Sequence, residues 1–349
     1  MLGLLAGVAL AIEPVLVTAE RVVDDAWPGE HDPAALRRAA LEGMVAYLNE
    51  RESLPVNRLL APDEATVPWG LGLEYLLVPG RGLVVTDVVE PSAASRAGLV
   101  PGDVVTRLGG QDTTAALDPD ELTGVAAGAV PLLVQRAGGH ATSFVLQPGP
   151  LPAHTLRARP DHLQVTVRAP TEELTTVVAA AVAAAPDQPV LIDLRGATGG
   201  TVVGAVGLAD VLLPVDAIIG FELRQGTQHE LASTRPPLAP AVAVLIDAGT
   251  AGPAELIAAS LQHHGRATVI GTPSAGLAGA TSVRFLDAEH ALQLVDARLR
   301  DPAGESWDGG GVKPDVRIQP RLETPPDGAV PRDAQVDAAL TALGLRGAR

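Results

Sequence analysis

The sequence predicts an α/β protein in which a mainly parallel sheet carries helices on both faces. A smaller β-rich module and a helical amino-terminal region precede it. Three observations predict this architecture. Beyond residue 149, short continuous apolar runs alternate with helix-like segments, the pattern of parallel strands buried on both sides. Between Trp69 and Gln147 the apolar runs are brief and separated by Gly and Pro turns, a β-rich texture. From Glu13 to about Asn57 the apolar spacing is helical.

Taken in order, Leu2 to Ile12 is an apolar run with Ala9-Leu10-Ala11 as a small-residue cleavage pattern, no Lys or Arg before it and too little length to span a bilayer. It reads equally as a signal or anchor remnant, as a start placed too late, or as the first turns of a helix. Residues 13–67 follow as the helical region. Pro33 opens a helix whose apolar positions Leu36, Ala40, Met44, Val45 and Leu48 recur at three and four, and Pro62 to Pro68 is a linker. Residues 68–148 form the β-rich module, with strands at Gly82–Val85, Asp103–Val105, Pro131–Val134 and Ser143–Leu146. Residues 149–322 form the α/β core. Its expected strands are Leu163–Val167, Val190–Leu194, Val242–Ile246 and Val269–Gly271, and its expected helices run from a Thr171 cap to Ala185, Val202 to Leu213 and Ala254 to His263. Residues 323–349 are a Pro-rich tail, helical from Asp333 to Leu343.

Composition excludes several functions. Of 349 residues, 47% are apolar and 19% charged, enough for a real core and too apolar for a disordered chain. Aromatics at 2% give no stacking platform for single strands, and 25 basic against 41 acidic residues, net −16, repel phosphate backbones, so nucleic acid is not an expected partner. The absence of cysteine removes disulfides, thiolate zinc sites and a cysteine nucleophile. Lys313 is the only lysine; the other 24 basic residues are arginines. No stretch is long and apolar enough to be a transmembrane helix.

Two sets of segments carry family resemblances. Glu90-Pro91-Ser92-Ala93-Ala94-Ser95-Arg96-Ala97-Gly98-Leu99-Val100-Pro101-Gly102-Asp103-Val104-Val105 resembles the core signature of a PDZ domain, with Gly70-Leu71-Gly72-Leu73 in the place of its carboxylate-binding loop. Such glycines let successive N–H groups turn toward one point and hold a peptide's terminal carboxylate, while the strand from Leu73 to Val78 pairs with the peptide. The plainer reading is a tight turn.

The second set resembles the carboxyl-terminal processing (tail-specific) serine peptidases. It comprises Val190-Leu191-Ile192-Asp193-Leu194-Arg195 with Gly199-Gly200, Gly249-Thr250-Ala251-Gly252-Pro253-Ala254-Glu255, Leu261-Gln262-His263-His264-Gly265-Arg266-Ala267, Gly271-Thr272-Pro273-Ser274-Ala275-Gly276-Leu277-Ala278 and Gly311-Val312-Lys313-Pro314-Asp315. The order of the parts also matches, over about residues 13 to 320. The resemblance implies a peptidase fold in which a Ser attacks the peptide carbonyl, a neutral Lys takes its proton and N–H groups hold the oxyanion.

Carried over by position, the nucleophile falls on Gly252 and the base on Leu277, while Thr281 stands where Gln is usual. On the oxyanion side stand Pro253, which has no N–H, with Gly199 and Gly200, and the turn's Asn is Ala197. Alternatives among the remaining residues are weak. Lys313 lies in a different motif and reads as a surface amine. Ser260 and Ser274 flank the site in sequence. His263 and His264 are adjacent and point to different sides of a helix. His154, His162, His229 and His290 show no carboxylate partner spacing. Asp193 reads as holding the strand-end turn or pairing with Arg195.

The expectation is therefore a pseudopeptidase without metal or cofactor. It would bind peptide or protein carboxyl termini, or unfolded chains, through Gly70, Leu71, Gly72 and Leu73, with an active homologue as a second candidate partner. Two alternatives stay open: an active serine endopeptidase with a rearranged site, and an apolar small-molecule carrier on the same fold. The family's habit, the Leu2–Ile12 run and the absence of cysteine point outside the cytoplasm, to the periplasm or cell envelope, while the missing basic residues keep the cytoplasm open as the alternative.

Overall fold

The computed structural model describes residues 32–52, 57–60, 69–78, 80–114, 128–136, 140–239, 241–287, 290–320, 322–323 and 332–345. The Leu2–Ile12 run, residues 13–31 and the Pro62–Pro68 linker lie outside them.

A six-stranded sheet organises the core. Its spatial order is His154–Ala158, Leu163–Val167, Val190–Asp193, Val242–Ile246, Ala267–Gly271 and Val316–Arg317. The first pair is antiparallel and every later pair is parallel. Alternation along each strand sorts side chains to opposite faces. Val190, Ile192, Val242, Val244 and Ile246 enter the main core, where they meet helices Glu172–Ala184, Val202–Leu212 and Pro253–His263. Leu191, Ala243, Leu245 and Ile270 face the other way, onto Ala339, Leu340 and Leu343. Residues 334–342 are thus the cover of the sheet's second face.

Helix Glu172–Ala184 starts as expected, but by different means. Thr171 is its N-cap residue without a side-chain capping bond, and its hydroxyl is buried without a partner among the described residues. Glu172 and Glu173 in the first turn supply the favourable charge instead. Helices Val202–Leu212 and Glu172–Ala184 approach closely because Gly204 and Gly207 lack side chains; a Cβ on Gly207 would fall 2.0 Å from the Thr175 hydroxyl.

A second, antiparallel sheet is absent from the sequence reading. Arg58–Leu60, Ala291–Arg300, Ile218–Arg224 and Thr227–Ala232 pair in that order, and Gly279–Phe285 adds to Ala291–Arg300. It packs on helix Pro253–His263 through Ile219, Ala280, Ala297 and Leu299. Its outer strand, Thr227–Ala232, is mostly exposed and polar, so no apolar run announces it.

The β-rich unit is a sheet ordered Leu73–Val78, Gly82–Val88, Val104–Leu108, Val130–Gln135 and Ala141–Leu146 around Leu83, Val85, Leu99, Val105, Leu132 and Val134. The chain enters and leaves it side by side, because Trp69–Gly70 pairs with Gly149–Pro150. Arg168–Glu74 and Arg157–Asp87 ion pairs tie it to the core. Helix Pro33–Asn49 has no buried residue, although Asp32 caps it as a start signal should.

If the residue 334–342 helix belongs to the core, Leu340→Ala, at a site 5% exposed, lowers unfolding free energy by about 2–4 kcal/mol. Urea titration should then show a lower midpoint with an unchanged slope.

Candidate functional site

Three turns converge at the carboxyl ends of neighbouring parallel strands, the usual place for a site in such sheets. They follow Val190–Asp193, Val242–Ile246 and Ala267–Gly271. The Ala251 N–H donates to the Ala197 carbonyl (2.9 Å), the Ala275 N–H to the Thr250 carbonyl (2.9 Å) and the Thr250 hydroxyl to the Leu194 carbonyl (2.8 Å). Asp247 accepts from the Gly196 and Gly249 N–H groups at 2.9 and 3.0 Å, closing the first turn on the second.

Gly252 is the N-cap of helix Pro253–His263 and has φ 65° and ψ −126°. That conformation disfavours side chains, although space for a Cβ exists, with the nearest atom, the Gly279 carbonyl oxygen, 3.4 Å away. It is a sharp strand-to-helix turn of the kind that presents a nucleophile. Pro253 occupies the first helical position, where its missing N–H costs the helix nothing.

The group that holds the turns together was not singled out in the sequence. Glu255 is fully buried, and its carboxylate accepts from the Gly252 N–H (2.9 Å), the Leu277 N–H (2.9 Å), the Gly276 N–H (2.8 Å) and the Ser274 hydroxyl (2.5 Å). Burial pushes its pKa above the ordinary value, and the four hydrogen bonds pull downward without cancelling that effect. The available signal was its position, three residues after an N-cap, where an acid returns to the cap N–H. Because Gly252 and Leu277 donate to the same oxygen, their nitrogens lie within about 6 Å of each other. The two positions matched by resemblance are therefore neighbours in space. One carries hydrogen and the other an alkyl chain, buried to 6% exposure.

Of the remaining predicted positions, Ala197 alone is joined by a hydrogen bond to the Gly252 turn among the described residues. Gly199 and Gly200 have φ of 70° and 75°, and neither N–H has an acceptor among the described residues. Ala197 is buried and its carbonyl is the acceptor for Ala251. Thr281 stands at a register shift opposite Val295 and shares no hydrogen bond with the Glu255 cluster. Asp193 does both things foreseen for it. Its carboxylate accepts from the Arg195 N–H (3.1 Å) and pairs with the guanidinium at 2.6 Å. That guanidinium also reaches Asp333 (2.6 Å) and Gln335 (3.0 Å). Burial opposes the charge on Arg195, but Asp193 and Asp333 outweigh it and hold its pKa above the ordinary value.

The other polar side chains considered in the sequence are engaged or distant among the described residues. The Ser274 hydroxyl is committed to Glu255, and the Ser260 hydroxyl donates toward the Ile219 and Leu256 carbonyls. Lys313 sits near the far end of helix Pro253–His263, where Gln262 bonds its carbonyl, roughly 15 Å along the axis from Gly252. His263 and His264 stack edge to face at 5.1 Å, and no metal-ligating cluster exists among the described residues. Two histidines need correction. His162 lies 2.7 Å from Asp161 and His290 2.9 Å from Asp287, so both have carboxylate partners that sequence spacing did not reveal.

In the β-rich unit, the carbonyls of Leu71 and Gly72 accept from Ala94 and Val89, while their own N–H groups have no acceptor among the described residues. Strand Leu73–Val78 is an edge strand among the described residues. Gly72 has a second, structural reason to be glycine: at φ 81°, a Cβ there would lie 2.1 Å from the Ser92 Cβ. Gly70 is less constrained, with the Leu151 side chain 3.2 Å from a hypothetical Cβ.

Known proteins similar to this chain include carboxyl-terminal processing proteases and S41 peptidases. Residues 171–318 match the model of Peptidase family S41. The chain is 28% identical over 333 residues to a carboxyl-terminal-processing protease of Synechocystis, covering 87% of this chain and 76% of that one. It is 25% identical over 274 residues to a carboxy-terminal-processing protease of Bartonella bacilliformis, with coverages of 72% and 62%. With the chloroplastic carboxyl-terminal-processing peptidase 3 of Arabidopsis thaliana it shares 26% over 315 residues, spanning 79% of this chain and 59% of the relative. In solved structures, the fold superposes on a photosystem II D1 C-terminal processing protease with a TM-score of 0.50, 20% identity and coverages of 89% and 94%. It superposes on a Bacteroides fragilis chain named for the S41 proteases with 0.56, 17% identity and coverages of 82% and 86%. At those identities the structural likeness concerns the fold alone.

Two outcomes follow from the Glu255 cluster. Glu255→Gln turns an NH2 toward backbone N–H groups and should cost about 2–4 kcal/mol in urea unfolding. Because the folded pKa is raised, the neutral carboxyl favours the fold: its contribution is complete below the ordinary value of 4.5 and is lost as pH rises through the shifted one. A pH series should therefore show that falling component in the unaltered protein and not in Glu255→Gln. Separately, Gly252→Ala has room but the wrong backbone angle, and should cost about 1–3 kcal/mol by the same measurement.

Proposed function

We propose that this chain, a homologue of the carboxyl-terminal processing proteases with an S41-type core, is a peptide-binding protein that does not hydrolyse peptide bonds. One observation carries the reading. Gly252 and Leu277 donate their N–H groups to a single oxygen of Glu255, so the positions that match nucleophile and base meet in the fold, and neither side chain can react. Pro253 removes a further N–H from the place where a developing oxyanion would need one. The hydroxyls and the amine that stand nearest in sequence are engaged or remote, which disfavours a rearranged serine site.

Peptide binding would reside in the β-rich unit, read as a PDZ domain. Its Leu71 and Gly72 N–H groups point to a terminal carboxylate, and the edge strand Leu73–Val78 would add the peptide as a further strand. The partners are peptide or protein carboxyl termini, and an active relative is a second candidate. No helix among the described residues is long and apolar enough to cross a membrane. An extracytoplasmic setting belongs to the same proposal.

Purified protein incubated with an unfolded substrate bearing an apolar carboxyl terminus should leave it uncut, with no difference from Gly252→Ala; cleavage that a serine-directed fluorophosphonate abolishes refutes inertness. For binding, an apolar-tailed peptide with a free carboxylate should bind at least about tenfold more tightly than its amidated twin, the loss expected when N–H donors lose a charged acceptor. Equal affinities in calorimetry would remove the carboxylate-loop reading. Altering the peptide is the cleaner route, since a side chain at Gly72 would collide with Ser92.

A further inference from the structure

We propose that a cavity at the carboxyl end of helix Pro253–His263 binds a small zwitterion, specifically an α-amino acid with an apolar side chain. The cavity has a volume of about 310 Å³ and lies between that helix and residues 301–313. This is the lower end of the range for small-molecule sites, a size suited to one amino acid rather than to a cofactor.

Its lining combines two features. Ala259, Trp307 and Val312 give an apolar floor, each below 9% exposed. Around it stand two opposite charges, Asp301 and Lys313, which line the same cavity and make no ion pair with one another among the described residues. Opposite charges that share a cavity and stay apart are complemented by a ligand carrying both signs. Its carboxylate would meet the Lys313 ammonium, and its ammonium the second oxygen of Asp301, whose Oδ1 already accepts the Glu305 N–H at 2.8 Å. The apolar side chain would lie on Trp307. A neutral ligand leaves both charges unmet, and a simple anion leaves Asp301 unmet beside it.

The walls are fixed before any ligand arrives. The Gln262 amide donates to the Lys313 carbonyl and to Asp315, both at 2.8 Å, and the Trp307 carbonyl accepts from the Gly310 and Gly311 N–H groups. Preformed walls reduce the ordering cost of binding. The proposal does not depend on whether the protein cleaves or binds peptides, because no lining residue belongs to the turns around Gly252.

The single lysine makes the test specific. Reductive ¹³C-methylation marks Lys313 and the amino terminus while keeping their charges, so one lysine signal reports on the cavity by NMR. Titration with L-leucine should shift that signal saturably, with half-saturation at or below about 1 mM. N-acetyl-L-leucine, which lacks the ammonium, and L-leucinamide, which lacks the carboxylate, should each need at least tenfold more. Asp301→Asn keeps the acceptor for Glu305 and should weaken leucine at least tenfold while leaving the melting temperature unchanged. The absence of any saturable shift overturns the proposal, and so does an equal response to all three compounds.

Discussion

The carboxylate of Glu255 is the constraint on which the site depends. It sits without solvent contact at the start of a helix and gathers a hydroxyl and three backbone N–H groups from two separate turns. A buried carboxylate is costly unless its lone pairs are met, and an unmet buried N–H is costly in turn. Each group thus requires the others, and the turn at Gly252 and the loop at Leu277 are held in register by mutual need. Ser274 extends the arrangement outward, since its hydroxyl also accepts the Val312 N–H at 2.7 Å.

That arrangement explains how the shape of the turns can persist whatever side chains stand at 252 and 277. None of the bonds that shape the site uses a side chain at 252 or 277; they use main-chain N–H groups, which glycine and leucine supply as well as serine and lysine. The strained angle at Gly252 is even relieved by glycine. Pro253 costs the helix nothing, because the first helical position has no intrahelical N–H bond to lose. The hydrogen bonds of these turns are therefore independent of the side chains at 252 and 277.

How much of this could be read beforehand depended on the physical signal each part leaves. The parallel strands Val190–Asp193 and Val242–Ile246 are buried on both faces and show as unbroken apolar runs. Thr227–Ala232 is exposed and polar and Gly279–Phe285 is partly exposed, so these two strands left no run to find, whereas Ile218-Ile219-Gly220-Phe221 is an apolar run not assigned to a strand. The family resemblance pointed to Gly252, Leu277, Pro253 and the Gly199–Gly200 turn, but a match of motifs is blind to hydrogen bonds between distant segments. It missed the joining role of Glu255, and it missed the pairing of His162 with Asp161, which are adjacent in the chain and whose contact depends on rotamer rather than on periodicity. Gly72 illustrates the opposite hazard: it resembles part of a binding loop, yet its contact with Ser92 would demand glycine in any case.

The helix at residues 334–342 has a consequence for how the protein is made. Leu191, Leu245 and Ile270 lie on a face that this helix covers, and the partly buried guanidinium of Arg195 finds Asp333 and Gln335 across separations of 138 and 140 residues. A ribosome releases the sheet strands well before that partner, so the nascent chain carries a bare apolar surface, and an Arg195 that lacks its bonds to Asp333 and Gln335, for the whole interval. At roughly 5–20 residues per second this lasts several seconds or more, long enough for chaperone engagement, and it ends only when the last helix is delivered.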